Sequence, residues 1–98
     1  MFIKNYSKSG KICRVTFKCE NPDSCESAIL VGDFNNWSLQ ETPMKKLKNG
    51  SFSTTLSLKT GTSHQFLYVL DGGIWRNDEK ADGHVANPFG GENSVVTV

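Results

Sequence analysis

What alternates in this sequence alternates with a period of two, and a chain that does so builds sheets. In "KICRVTFKC", Cys13, Val15, Phe17 and Cys19 point one way, while Arg14, Thr16 and Lys18 point the other. "SFSTTLSL" sets Phe52, Thr54, Leu56 and Leu58 against Ser51, Ser53, Thr55 and Ser57. Each is the pattern of an antiparallel strand with one dry and one wet face. "SHQFLYVL" separates Phe66, Tyr68 and Leu70 from Gln65, Leu67 and Val69, and "NSVVTV" closes the chain with branched residues. "AILVGDF" opens on an uninterrupted apolar run, as expected of a central strand. No stretch sustains helical spacing.

Turn formers punctuate these runs at short intervals: Asn21-Pro22-Asp23, Asn49-Gly50, Thr60-Gly61-Thr62 and Asp71-Gly72-Gly73. Six or seven short strands in 98 residues predict an all-β fold, an immunoglobulin-like β-sandwich. The length allows one domain. Residues 1–10 read as an N-terminal extension and 11–98 as the sandwich. The segment 77–92, "NDEKADGHVANPFGGE", breaks the alternation and is expected to be a long functional or mobile loop.

Eleven basic and ten acidic residues leave a net charge of +1, so neither nucleic acid nor an anionic membrane is expected as a partner. The lysines read as scattered, with "KKLK" at 45–48 a solvated turn. The segment "MFIKNYSKSGK" lacks the apolar stretch of a signal peptide, and no run is long enough to span a bilayer. A cytoplasmic location is expected. Cys13 and Cys19 share the inward parity; a Cys19–Cys25 bridge is sterically conceivable, though a reducing compartment favours free thiols. Neither cysteines nor histidines are spaced to hold zinc, and no metal or other cofactor is expected.

Catalysis needs convergent titratable groups. Asp78, Glu79, Asp82 and Glu92 instead lie among turn formers, where solvated loop acids are expected, and His64 and His84 have no evident partner in the sequence. No catalytic motif is present, and a non-enzyme is expected. The two tryptophans are more informative. Trp37 follows two asparagines after a strand, and Trp75 follows a glycine turn. A ring in polar surroundings can lie against the C–H face of a pyranose, with amides serving its hydroxyls. Packing at a sheet edge is the alternative for either ring.

"ILVGDFNNW", "HQFLYVLDGGIW" and "NPFGGENSVV", in this order, resemble the glycogen-binding family 48 carbohydrate-binding modules, also known as isoamylase N-terminal early-set domains. The likeness runs from about Val15 to Val98, and is nearest to small stand-alone bacterial members. It implies an immunoglobulin-like sandwich, an α-glucan ligand (glycogen, starch or maltooligosaccharide), and no catalysis. The family's two stacking tryptophans match Trp37 and Trp75. A hydrogen-bonding asparagine matches Asn93, and an apolar residue reaching over the glucan matches Phe89. A basic residue usual on the outward side of "HQF-x-Y" is here Leu67. Its absence costs one charged hydrogen bond, on the order of 1–3 kcal/mol. Leu67 therefore also supports a second reading, a protein-interaction or regulatory module that has weakened or lost sugar binding. Such a module would present Leu67 and Val69 as an apolar patch to a glycogen-metabolising enzyme or to a second copy.

Overall fold

The computed structural model describes residues 1–98 as two antiparallel β-sheets packed face to face. The strands are β1 (Phe2–Tyr6), β2 (Ile12–Cys19), β3 (Ala28–Gly32), β4 (Lys45–Lys46), β5 (Phe52–Lys59), β6 (Ser63–Leu70), β7 (Ile74–Arg76), β8 (Gly83–Ala86) and β9 (Glu92–Thr97). One 3-10 turn, Asp33–Asn35, follows β3. The first sheet runs β1-β2-β5-β4 and the second β3-β6-β9-β8, with β7 also on β6. This is the expected immunoglobulin-like sandwich. No helix is long and apolar enough to cross a membrane.

The inward parities read from the sequence meet in one core. Cys13, Val15, Phe17, Phe52 and Leu58 face Ala28, Leu30, Phe66, Tyr68, Leu70, Val96 and Val98. Phe17 lies at its centre, 5.1 Å from Phe66 and 5.8 Å from Phe2, both edge to face. That geometry suits the ring quadrupole, and full burial of such a ring contributes about 1.5–3 kcal/mol. All three cysteines are buried and free. Burial, the main cause, pushes the Cys19 thiol up to about 11.

The structure departs from the sequence reading in several places. Phe2–Tyr6, within the N-terminal extension, pairs residue for residue with β2, Phe2 opposite Phe17. The apolar run of β3 belongs to the end strand of its ladder. Its free edge is covered by the following chain, where Leu30 N–H donates to Thr42 and Met44 N–H to Ala28. Both faces of β3 are apolar because Leu30 meets the core while Val31, on the opposite face, is also fully buried.

The 77–92 segment is not one long loop. Gly83–Ala86 forms β8 on β9, a strand masked in sequence by its small and polar residues. Asp78 is not a solvated loop acid but only 3% exposed. Its carboxylate accepts Tyr68 Oη–H at 2.8 Å, Lys80 N–H at 2.9 Å and the Met1 ammonium. Burial, then the charge of Asp78, raises the Tyr68 pKa and keeps the phenol protonated. Both histidines have partners: His84 Nε2–H donates to the Asp78 carbonyl at 2.9 Å, and His64 binds Asp33.

Candidate functional site

The second sheet turns one face away from the core. Its residues follow from register. Ile29 and Val31 of β3 lie opposite Val69 and Leu67 of β6, Trp75 of β7 opposite Val69, Val95 of β9 opposite Gln65, and Val85 of β8 opposite Asn93. None of these side chains carries a formal charge. β3 occupies one edge of β6 from Phe66 to Leu70, and the other edge is divided: β9 pairs with Ser63–Phe66, then β7 with Tyr68–Leu70. Leu67 stands at that fork. Continuing the β9 register sets it against Asn93, while Trp75 lies one outward position further along. Outward positions on a strand repeat at roughly 6–7 Å. Trp75, Leu67 and Asn93 therefore share one patch.

Exposure sorts the patch. Trp75 is 52% exposed and Phe89 93%, both far above what a core role requires. Val69, by contrast, is 1% exposed and Val31 fully buried, with Leu67 and Trp37 half-buried. The apolar patch expected from Leu67 and Val69 is thus mostly covered.

Asn93 is held in a chain of amides. Its Nδ2 donates to Gln65 Oε1 at 3.1 Å, and its Oδ1 accepts from Asn87 Nδ2 at 3.1 Å. Asn87 Oδ1 in turn accepts the backbone N–H groups of Phe89 (3.0 Å) and Gly91 (3.1 Å). This closes a tight turn, aided by Gly90 at φ +88°, and lifts Phe89 into solvent. Gln65 Nε2 and the second Nδ2 proton of Asn93 remain uncommitted donors on the exposed face.

The "GDFNNW" turn, which carries Trp37, lies at the end of β3. Gly32 occupies a position where no Cβ fits: one would lie 2.6 Å from the Gln65 carbonyl and 2.7 Å from the Phe34 ring. Asp33 clasps the start of β6. Its Oδ1 accepts His64 Nδ1–H at 2.7 Å and its Oδ2 accepts Gln65 N–H at 2.9 Å. Asn35 is buried and fully used, accepting Gly32 N–H while donating to the Leu30 carbonyl and Thr42 Oγ1. Asn36 and Trp37 then adopt φ of +55° and +57°. Left-handed geometry costs a non-glycine residue roughly 1–2 kcal/mol, and for a bulky ring it is an outlier. Trp37 N–H donating to the Gly32 carbonyl at 2.8 Å helps hold it.

The His64 Nε2 also lies 3.0 Å from Thr62 Oγ1, giving an aspartate–histidine–hydroxyl order. Thr62 Oγ1–H, however, donates to the Lys59 carbonyl at 2.5 Å, so this proton is committed to the fold. Two concavities, of about 360 and 380 Å³, open elsewhere and include none of Trp37, Leu67, Trp75, Phe89 or Asn93. The candidate site is a shallow open face.

Residues 14–98 match the family described as the glycogen recognition site of AMP-activated protein kinase. The chain belongs to this family. The resemblance read from the three motifs is thereby met over most of the sequence. Two relatives are similar to it over part of their length. Protein PTST homolog 2, chloroplastic, of Arabidopsis thaliana is 39% identical over 77 residues, 79% of this chain and 14% of that protein. A 1,4-alpha-glucan-branching enzyme of Emericella nidulans is 37% identical over 65 residues, 62% of this chain and 9% of the enzyme. The chain therefore spans a small fraction of the length of either relative.

Within the patch, Gln65 and Asn87 were not singled out from the sequence. Gln65 was legible as outward-facing, but its bond to Asn93 needed β9 beside β6. Asn87 had only its place before Pro88 in a turn-rich segment, a signal for a bend and not for a side chain that orders Phe89.

Proposed function

We propose that this chain is a non-catalytic α-glucan-binding module whose ligand lies on the uncharged outer face of the second sheet. The observation that supports the reading is half-exposed Trp75 on the same outer face as the Gln65–Asn93–Asn87 amide chain, with Asn87 holding the turn that exposes Phe89. A neutral polysaccharide needs this chemistry. Flat apolar rings stack on pyranose C–H faces, uncommitted amide protons meet hydroxyls, and no fixed charge must be desolvated. Trp37 contributes the second ring. Its left-handed backbone within an over-determined turn agrees with a binding role, since strain of this kind is retained where geometry serves a ligand. Phe89 closes over the sugar from the 87–91 turn.

Leu67 supplies apolar contact at the centre and no hydrogen bond. Gln65 lies one outward position away and offers two amide protons, which offset part of the missing cation. The relative named as a 1,4-alpha-glucan-branching enzyme agrees with a glucan ligand here. An open face with two rings and few hydrogen bonds fits a dissociation constant of about 10 μM to 1 mM. Three free buried thiols agree with a reducing compartment such as the cytoplasm.

Titration with maltoheptaose, followed by the indole N–H signals, tests the assignment. Both indoles shift if the reading holds; two unmoved indoles at millimolar sugar refute it. Electrophoresis through glycogen-containing gels adds the comparison with Trp37→Ala and Trp75→Ala. The parent chain is retarded and both variants run faster; equal mobility of all three overturns the platform.

A further inference from the structure

The net charge of +1 conceals a strong separation. The strands of the first sheet and the turns joining β1 to β2 and β4 to β5, residues 2–19 and 45–59, hold nine of the eleven basic residues and none of the ten acids. The remaining residues hold two bases and ten acids, which is net minus eight against plus nine. The sum is only +1, but the molecule is a dipole across its two sheets. Of the nine cations only Lys4 forms an ion pair, with Asp82, and Lys46 donates to the Cys25 carbonyl. Lys8, Lys11, Arg14, Lys18, Lys45, Lys48 and Lys59 pair with no carboxylate.

Register sets out the outer face of this sheet as a grid. Lys18, Ser53 and Lys45 form one row; Thr16 faces Thr55, their hydroxyls 3.0 Å apart; Asn5, Arg14 and Ser57 form a third row, and Ile12 faces Lys59. Four cations thus surround a field of hydroxyls and one amide. Evolution of a merely soluble surface interleaves both signs; seven unpaired cations without one acid call for an external counter-charge.

We infer that the outer face of the first sheet docks an acidic polypeptide segment. The inference stands apart from the glucan reading, because the two faces lie on opposite sides of the sandwich. Charge complementarity selects the sign of the partner. The chemistry of the face selects a polypeptide. Serine and threonine hydroxyls between the cations offer hydrogen bonds to carboxylates at sheet spacing, about 4.8 Å between strands. A single-stranded nucleic acid wants outward aromatic platforms, and these four rows contain none. Duplex grooves are entered by a helix or a projecting ribbon, whereas this face is the broad side of a four-stranded sheet. A membrane surface wants a continuous apolar face beside its cations; here Ile3 and Ile12 lie in separate rows with Asn5 and Arg14 between them.

The probe is poly-L-glutamate, titrated into the full chain and followed by backbone amide shifts. The shifts should concentrate on Arg14, Thr16, Lys18, Ser53, Thr55 and Ser57, and diminish as salt rises. The double substitution Arg14→Glu, Lys18→Glu should weaken binding at least about tenfold, the pair Arg14→Gln, Lys18→Gln by less, with unfolding midpoints and maltoheptaose shifts as in the parent. Absence of binding at low salt overturns the inference, as do shifts confined to the Trp75 face. Tighter binding of duplex DNA, or of phosphatidylcholine–phosphatidylserine vesicles, than of poly-L-glutamate at about 0.15 M salt overturns it in favour of that surface. A mass that doubles with concentration and falls on charge reversal makes a second copy the occupant, which also overturns it.

Discussion

Asn93 donates its Nδ2 proton to Gln65 Oε1 at 3.1 Å, joining β9 to β6 on the face that carries Trp75. Each amide fixes the other's orientation, so the donors left over point outward as a pair. The bond lies on an exposed surface and little of the fold rests on it. Asn93→Ala is expected to weaken maltoheptaose about tenfold and Gln65→Ala about three- to fivefold, from roughly 1 kcal/mol per lost hydrogen bond. Chemical-shift titration measures both, and urea midpoints should stay within about 0.5 kcal/mol of the parent. A Gln65→Ala variant that binds as tightly as the parent removes Gln65 from the site.

Leu67 gives the converse test. Leu67→Lys restores a cation at the fork between β9 and β7, where its stem can cover the same apolar neighbours and its ammonium reach the surface. Affinity for maltoheptaose should rise about fivefold or more, equivalent to about 1 kcal/mol. Calorimetric titration of the two proteins decides it; an unchanged or lower affinity means the ligand does not pass over position 67.

Gly32→Ala tests whether the "GDFNNW" turn is fixed by close approach. The glycine is extended, at φ −173°, so the backbone itself accepts any residue. The obstacle is the Gln65 carbonyl at 2.6 Å and the Phe34 ring at 2.7 Å from the new methyl. Because one obstacle is backbone in a paired strand, a loss of about 1–3 kcal/mol is expected in urea unfolding. The same variant should bind sugar more weakly, since Asp33 and Trp37 move with the turn.

Acid should destabilise the fold in part through Asp71. The N–H groups of Glu26 (2.8 Å) and Ser27 (3.1 Å) donate to its carboxylate and hold its pKa below the ordinary 3.8. A lowered folded value means that the charged form is the one the fold prefers. Its contribution is therefore complete above about pH 4 and is lost as pH falls through the folded pKa. Asp71→Asn keeps an acceptor and a residue tolerant of the native φ of +49°, but removes the titration. Urea midpoints followed downward from about pH 5 should fall less steeply in the variant. Parallel curves would show that Asp71 does not contribute to the acid transition.

Cys19, with its thiol pushed up to about 11 and its side chain in the core, should resist alkylation. Iodoacetamide at neutral pH is expected to modify it only at the rate of unfolding, and mass spectrometry with and without urea separates the two regimes. Rapid labelling of Cys19 in the native protein would mean that β2 opens locally.

Much of the architecture was written in the chain. Strict alternation in β2, β5 and β6 determined which side chains enter the core, because a one-residue slip would turn every one of them outward. The three motifs identified the family. Three kinds of feature needed the third dimension. Strands β1 and β8 are too short and polar to declare themselves, and exist because a neighbour supplies the ladder. Asp78 and His64 read as unpartnered because their partners, Tyr68 and Asp33, lie 10 and 31 positions away. The scattered lysines became a single face only when β2 and β5 paired, bringing residues 12–19 against 52–59. Sequence fixes what each residue can do locally, through period, propensity and turn chemistry. Which distant residues share a surface is set by strand pairing, and so the Gln65–Asn93 bond, the patch at Trp75 and the cationic sheet opposite it were decided by the tertiary structure alone.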